Sequence, residues 1–197
     1  MLLTRIDETA GLSPSDGSQW VSPARACSLF EVVSFLMSTE ALSVEARISI
    51  DDLLTRYASA IDGRDWELLD TVFTPDAHLD YRSAGGLAGD YPEVRSWLAK
   101  VLPIFDVMQH HVLNRVVRVH KGDVRTTSNF FNVNVLEIEG APWIFKVGGR
   151  YHDKVVLVDE MWRIAERIEE TMWWENPLPG LPSVPAQVPG LLDSVPK

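Results

Sequence analysis

The sequence has 197 residues, a hydrophobic share of 46% and a formal net charge of −10, a combination that fits one globular domain with a substantial core. The negative charge argues against nucleic acid and anionic membrane surfaces as partners, and no apolar run is long enough to cross a bilayer. The single cysteine, Cys27, excludes an internal disulfide framework and suits a cytoplasmic location.

Residues 1–42 form a predicted N-terminal extension. Its early part, GLSPSDGSQ, is typical of turns and coil. The apolar run at residues 26–37 could form an added helix, and it lacks the basic region and cleavage site of a signal peptide. Because Met37 would make an ordinary start for a domain, residues 1–36 could instead be upstream sequence.

The main domain, predicted over residues 43–175, begins with an amphipathic helix over residues 43–63. Its periodic apolar positions are Ile48, Leu53, Leu54, Tyr57, Ala58 and Ile61. Asp62 lies on the same broad face and needs a partner if that face is buried. Otherwise it is a solvated residue at the helix end. Asp65 is a suitable cap for a second, short helix that carries Trp66.

The rest of this domain predicts a strand, a helix and then a series of long strands. Residues 77–82 alternate as a half-buried strand, and residues 91–102 form a helix that begins at Asp90 and Pro92. The long strand-like runs cover residues 108–120, 123–139, 143–159 and 161–174. Their turn-type connections suit an antiparallel meander. We therefore expect an α+β domain whose curved sheet wraps around the N-terminal helices and leaves a cone-shaped ligand pocket.

Residues 176–197 form a predicted C-terminal tail that holds six of the 12 prolines. Proline excludes helix and central strand here and favours an extended course. The tail is also rich in Leu and Val, so we expect it to lie along the pocket mouth or against a neighbouring subunit, where it would shield the site from water.

A set of polar side chains on apolar elements could carry chemistry. They are Tyr57, Asp62, Tyr81, His110, Asn129 and Tyr151. A histidine held by a carboxylate is a general base, and tyrosine hydroxyls can polarise a carbonyl. Each residue also has a structural interpretation, as a core aromatic, a strand edge or a turn. His110 and His111 point to opposite faces of a strand and cannot share a metal, so we expect neither metal nor another cofactor.

Five short motifs occur in a recognisable order between residues 44 and 174. They are Tyr57, Ile61, Asp62, Asp65 and Trp66; Asp80, Tyr81, Arg82 and Ser83; Gln109 and His110; Gly149, Arg150, Tyr151 and Asp153; and the W-R-I strand at Trp162. This order resembles the SnoaL-like branch of the nuclear-transport-factor-2-like superfamily, and within it scytalone dehydratase and the bile acid 7α-dehydratases. The resemblance implies a cone-shaped α+β barrel.

The resemblance also implies roles for single residues. His110 would be the base that takes a proton next to a carbonyl, and Asp62 would hold it. Tyr57 and Tyr81 would position and polarise the substrate oxygen. The substrate-binding residues would be Asn129, Tyr151, Trp66 and Ile61. Scytalone dehydratase has a second histidine where Asn129 aligns, so the resemblance assigns no acid to the leaving hydroxyl.

Together these observations predict a cofactor-independent dehydratase, a lyase that removes water from a hydrophobic, cyclic, steroid- or polyketide-like hydroxy-carbonyl compound. One alternative is a ketosteroid-isomerase-like proton shuttle that uses Asp62. Another is a non-catalytic module that binds a hydrophobic ligand. The long strands are apolar at alternate positions, for example Phe131 and Val133. We therefore expect the outer face of the sheet to pack against other copies in a dimer or trimer.

Overall fold

The computed structural model describes residues 42–120 and 122–195. The predicted N-terminal extension lies outside these residues, apart from Leu42. The helices are α1 (Val44–Gly63), α2 (Trp66–Leu69) and α3 (Tyr91–Val101). The strands are β1 (Phe73–Asp80), β2 (Ala88–Asp90), β3 (Val107–His120), β4 (Asp123–Ile138), β5 (Ala141–Val158) and β6 (Met161–Glu175). Short 3-10 turns cover Arg82–Ala84 and Leu102–Ile104.

Side-chain caps fix where the first two helices begin. The Ser43 hydroxyl accepts a hydrogen bond from the backbone N–H of Ala46 at 3.1 Å, and the Asp65 carboxylate accepts one from the N–H of Leu68 at 2.9 Å. Each bond satisfies a backbone donor that has no partner inside its helix. Between the two helices Arg64 adopts a left-handed conformation, with φ of 50°, which turns the chain.

One face of α1 supplies much of the core. Its buried residues are Ile50, Leu53, Leu54, Tyr57, Ala60 and Ile61. The prediction that Ile48 and Ala58 belong to this face is wrong, because Ile48 is exposed and Ala58 is only half-buried. Ile50 and Ala60 occupy the inward positions of the 3.6-residue repeat instead.

The strands form one curved, unclosed sheet in the order β2-β1-β6-β5-β4-β3. The predicted antiparallel meander runs from β3 to β6. Two of its turns have both central residues at positive φ, namely Glu139 with Gly140 and Asp159 with Glu160, a geometry that matches the twist of the strands. β1 pairs parallel with β6, and the short β2 pairs antiparallel with β1. β2 was not among the strands predicted from the sequence.

The core lies between the helices and the inner face of the sheet. α1 contacts β3 and β6, and α3 contacts β1, so the sheet wraps around the N-terminal helices as expected. Leu53, Phe73 and Ile164, from three of these elements, are fully buried. Among the described residues, no helix combines the length and the apolar character needed to cross a membrane.

The outer face of the sheet carries a row of stacked rings. His111 stacks on Phe131, and Phe131 stacks on Trp173, each pair with centroids 5.9 Å apart. A Cβ at Gly148 would lie 2.5 Å from the Trp173 ring, so glycine is needed there for the ring to lie against β5. Large apolar side chains exposed on this face include Leu113, Ile144 and Trp173.

Candidate active site

A cavity of about 360 Å³ opens between α1, α3 and the inner face of the sheet. Its volume is within the range of ~300–1,000 Å³ that is usual for ligand pockets. The wall is mostly apolar, with residues such as Ile61, Trp97, Leu98, Phe145 and Val147. A few polar side chains interrupt it, namely Tyr57, Tyr81, His110, Asn132, Asn134, Tyr151 and Glu169. Such a wall suits a hydrophobic ligand that carries a small number of oxygen atoms.

His110 and Asp62 form a close pair at this cavity. The His110 ring nitrogen Nδ1 lies 2.6 Å from Asp62 Oδ1, and both carboxylate oxygens accept the backbone N–H of His110, at 3.1 and 2.9 Å. A carboxylate only accepts hydrogen bonds, so Nδ1 carries the proton. In the neutral ring the other nitrogen, Nε2, then has a free lone pair. The His110 side chain is 10% exposed and lines the cavity, so this lone pair is available to a ligand.

Three tyrosines line the same cavity. The Tyr57 hydroxyl lies 3.4 Å from the Tyr81 hydroxyl, and the Tyr57 ring meets the His110 ring edge-on with centroids 6.3 Å apart. Tyr151 stacks on Phe130 at 4.4 Å. Burial raises the pKa of all three tyrosine hydroxyls well above the usual value, so they remain protonated and can donate hydrogen bonds to an oxygen in the cavity.

A buried ion pair lies beneath these tyrosines. Arg167 donates to Asp153 through Nε at 2.7 Å and Nη2 at 2.8 Å, and both side chains are fully buried. The guanidinium also lies over the Tyr57 ring at 4.0 Å and the Tyr151 ring at 4.2 Å. Although burial by itself lowers the pKa of Arg167, the Asp153 charge raises it well above the usual value. Arg167 therefore keeps its charge, and its guanidinium packs against the Tyr57 and Tyr151 rings from below.

Glu169 is the only carboxylate among the polar side chains that line this cavity in the described part of the chain. It is 7% exposed. Burial raises its pKa to about 7, and the Thr171 hydrogen bond and the Arg167 charge oppose this shift in part. Glu169 can therefore be protonated near neutral pH and can then act as a hydrogen-bond donor or an acid.

Residues 42–168 match the model of the SnoaL-like domain family. The chain belongs to this family. An uncharacterised protein of Mycobacterium tuberculosis and one of Mycobacterium bovis are each 40% identical to this SnoaL-like chain over 126 residues, which cover 64% of the chain and 85% of each relative.

Several solved structures have the same fold, and their sequences are about one-fifth identical to that of this chain. The Kfla4162 protein of Kribbella flavida has a TM-score of 0.62 and 20% identity, covering 68% of this chain and 96% of that one. A candidate scytalone dehydratase of Novosphingobium aromaticivorans has a TM-score of 0.59 and 20% identity, covering 68% and 89%. The hexachlorocyclohexane dehydrochlorinase LinA-type3 of Novosphingobium barchaimii has a TM-score of 0.59 and 20% identity, covering 73% and 97%. These likenesses show the cone-shaped α+β fold.

The fold of the SnoaL-like chain brings most of the predicted site residues together. Tyr57, Ile61, Tyr81, His110 and Tyr151 line the cavity, and Asp62 holds His110 from behind. His111, the next residue on β3, lies on the outer face. Among the described residues, no three His, Cys, Asp or Glu side chains form a group that could hold a metal ion.

Two predicted substrate-binding residues lie elsewhere. Asn129 is exposed on the outer face of β4, because the residue that pairs with His110 across the β3–β4 ladder is Asn132. Trp66 is on α2, outside the cavity, with the Arg95 guanidinium 5.9 Å from its ring centre. Neither residue therefore lines this cavity.

Three polar residues of the cavity wall were not predicted from the sequence. Asn132 and Asn134 alternate with the outward-facing Phe131 and Val133, so amides at every second position of an apolar strand were a usable signal. Glu169 gave no such signal, because the β5–β6 register shifts between Lys154 and Val155 and leaves Ala165 without a partner. This irregularity changes which residues of β6 point inward.

The C-terminal tail covers part of the cavity, although it is not extended. Residues 178–181 line the cavity, and the N–H of Leu181 bonds to the carbonyl of Leu178 in a tight turn at 2.9 Å. Trp143 Nε1 donates to the Asn176 carbonyl at 2.9 Å and anchors the start of the tail. The prediction of an extended course is wrong, because glycines interrupt the prolines and allow turns, as at Gly180 with φ of 95°.

Proposed function

We propose that the chain is a cofactor-independent lyase that removes water from a hydrophobic cyclic hydroxy-carbonyl compound, with His110 as the general base. The observation that carries this proposal is the His110–Asp62 pair. Its 2.6 Å contact fixes Nδ1 as the donor, and the free Nε2 belongs to a residue that lines an apolar cavity. A base that is poorly solvated and held in one orientation suits proton abstraction from carbon.

The elimination proceeds in two parts. His110 Nε2 takes a proton from the carbon next to the carbonyl, and the electron pair of that C–H bond forms an enolate. The hydroxyl on the following carbon then leaves with its bonding electrons and combines with a proton to give water, which leaves a carbon–carbon double bond. Tyr57 and Tyr81 donate hydrogen bonds to the carbonyl oxygen, where negative charge develops.

The cavity limits the size of the substrate. A volume of about 360 Å³ lies near the lower end of the ~300–1,000 Å³ range for ligand pockets, which favours a compact ring system over a long chain. Polyketide-like or small steroid-like rings meet this limit. The names of two structural neighbours, a dehydrochlorinase and a candidate scytalone dehydratase, are consistent with an elimination reaction.

The geometry favours His110 over Asp62 as the base. Both oxygens of Asp62 already accept hydrogen bonds from His110, whereas Nε2 of His110 has no partner among the described residues. An isomerase that shuttles a proton on Asp62 would need this carboxylate to face the ligand. The contacts therefore support dehydration over isomerisation.

Bicyclic ketones provide a direct test. In D₂O, the protein should catalyse deuterium exchange at the α-carbon of 1-tetralone. Mass spectrometry measures the deuterium that is incorporated. It should also convert 3-hydroxy-1-tetralone to the fluorescent 1-naphthol, which forms when that compound loses water. Isomerisation of a β,γ-unsaturated cyclohexenone without loss of water would support the isomerase instead. Saturable binding of the tetralones with neither exchange nor elimination would support a binding module.

We also infer that the outer face mediates self-association into a dimer or trimer. Leu113, Ile144 and Trp173 each expose between 44% and 47% of their surface on this face, and large exposed apolar side chains on one face of a sheet favour an interface there. Light scattering at micromolar concentration should give a mass of two or three chains. Trp173→Arg should shift the population towards the monomer, and a wild-type monomer would contradict the inference.

A further inference from the structure

Glu169 is held in a defined orientation at the cavity wall. Its Oε1 accepts a hydrogen bond from the Thr171 hydroxyl at 3.1 Å. Thr171 is itself fixed, because its backbone N–H donates to the Ser83 hydroxyl at 3.0 Å and the two hydroxyls lie 3.2 Å apart. Ser83, Glu169 and Thr171 are all buried. A buried carboxyl with a locked neighbour is positioned for a specific contact.

The second oxygen of Glu169 is available to a ligand. Oε2 has no hydrogen-bond partner among the described residues, although Glu169 lines the cavity. The nearby cation, Arg167, donates to Asp153 through Nε and Nη2; its Nη1 is buried without a hydrogen-bond partner among the described residues and does not bond to Glu169. The Arg167 charge only partly opposes the effect of burial on Glu169. Burying a carboxyl that has no hydrogen-bonded cation favours its neutral form, and in that form Oε2 can donate a proton to a ligand.

The other titratable groups that face Glu169 do not remove this capacity. Tyr57 on α1, Tyr81 after β1 and Tyr151 on β5 are neutral because burial raises the pKa of each hydroxyl. The Tyr57 ring lies between the two ends of the site, in edge contact with both His110 and Tyr151. β3 and β6 are separated by two strands in the sheet, so His110 and Glu169 approach a ligand from different walls.

We propose that Glu169 is the acid that protonates the leaving hydroxyl, so that the substrate lies with its acidic carbon at His110 and its departing oxygen at β6. This proposal rests on the dehydration proposed above. The family resemblance assigns no acid to the leaving group, and Asn129, the residue aligned with a histidine in scytalone dehydratase, is exposed on the outer face.

The atoms and charges of the step balance. As the C–O bond breaks, its electron pair goes to oxygen, and that oxygen takes the proton of Glu169 to form water. The C–H electron pair becomes the new double bond, while the C–H proton stays on His110. The products are a carboxylate on Glu169 and an imidazolium on His110, and both groups return to their starting states by proton exchange with water.

A leaving-group comparison tests this assignment. Glu169→Gln should slow loss of water from 3-hydroxy-1-tetralone by about 100-fold, because an amide cannot supply the proton. It should slow loss of acetate from 3-acetoxy-1-tetralone, and deuterium exchange into 1-tetralone, by less than about threefold, because neither step needs the acid. Glu170→Gln is the matched control, since Glu170 is the next residue and bonds to His152 instead.

A pH profile of the wild-type protein gives a second test that no folding defect can obscure. The compared quantities are the rate of water loss from 3-hydroxy-1-tetralone and the rate of acetate loss from 3-acetoxy-1-tetralone. Their ratio should fall by about tenfold per pH unit above pH 7, because the Glu169 pKa is raised to about 7 and the acid loses its proton above that pH. A flat ratio, or equal slowing of both probes in Glu169→Gln, would overturn the assignment. If the Glu169 assignment fails but the wild type still exchanges deuterium into 1-tetralone, the dehydration proposal stands. If the wild type shows no exchange, both the dehydration proposal and the Glu169 assignment are wrong.

Discussion

Replacing His110 with glutamine is expected to lower the rate of water loss from 3-hydroxy-1-tetralone by about 10²- to 10⁴-fold, the range typical of a general base. Glutamine can still donate a hydrogen bond to Asp62 but cannot accept a proton from carbon. Deuterium exchange into 1-tetralone should fall by a similar factor, because the same nitrogen removes the proton in both reactions. The initial rate of increase in 1-naphthol fluorescence measures water loss, and mass spectrometry measures deuterium exchange.

The neighbouring histidine provides the matched control. His111→Gln changes the same residue type one position along β3, but its ring bonds to the Phe131 carbonyl on the outer face, so activity should be unchanged. Asp62→Asn should lower the rate by about 100-fold, since it removes the charge that stabilises the imidazolium. Full activity in His110→Gln, or a loss confined to His111→Gln, would contradict the proposed role.

Replacing Asp153 with alanine is expected to lower the free energy of unfolding by about 3–5 kcal/mol, because it leaves the Arg167 guanidinium buried and unpaired. Both side chains are fully buried, so water cannot replace the lost partner. The midpoint of urea unfolding, followed by tryptophan fluorescence, measures the change. Since Arg167 lies over Tyr57 and Tyr151, the cavity should also lose its shape.

An exposed pair in the same sheet is the control for this prediction. Asp123 bonds to Lys154 at 3.1 Å, with side chains that are 51% and 33% exposed. Asp123→Ala should therefore cost no more than about 1 kcal/mol. The double variant Asp153→Leu with Arg167→Met should recover much of the lost stability, because it removes the orphaned charge. Equal unfolding midpoints for Asp153→Ala and Asp123→Ala would disprove the argument.

The sequence predicted well those features that depend on local periodicity. The cap at Asp65 and the long strands follow from repeats and turn residues within single segments. The family resemblance supplied the pairing of His110 with Asp62, which are 48 positions apart and which no local pattern connects. The opposite orientations of His110 and His111 followed from strand alternation alone.

Other features depend on pairings between distant segments. Which residue of β4 lies opposite His110 is set by the strand register, and that residue is Asn132 rather than Asn129. The inward turn of Arg167 and Glu169 depends on the irregularity at Ala165, which appears only when β5 and β6 are aligned. Alternation within one strand carries no information about such shifts.

The parallel pairing of β1 with β6 has a consequence for how the chain folds during synthesis. β1 is made early, yet the strand that pairs with it, from Ile164 to Ile168, is made last. Forming this contact requires closure of a long intervening segment, which is slow. Until then, side chains such as Phe73 and Leu79 have no sheet neighbour on that side and can be captured by chaperones or other nascent chains. The strand that carries Glu169 is therefore the last strand of the sheet to be synthesised, and its pairing with β1 must wait for it.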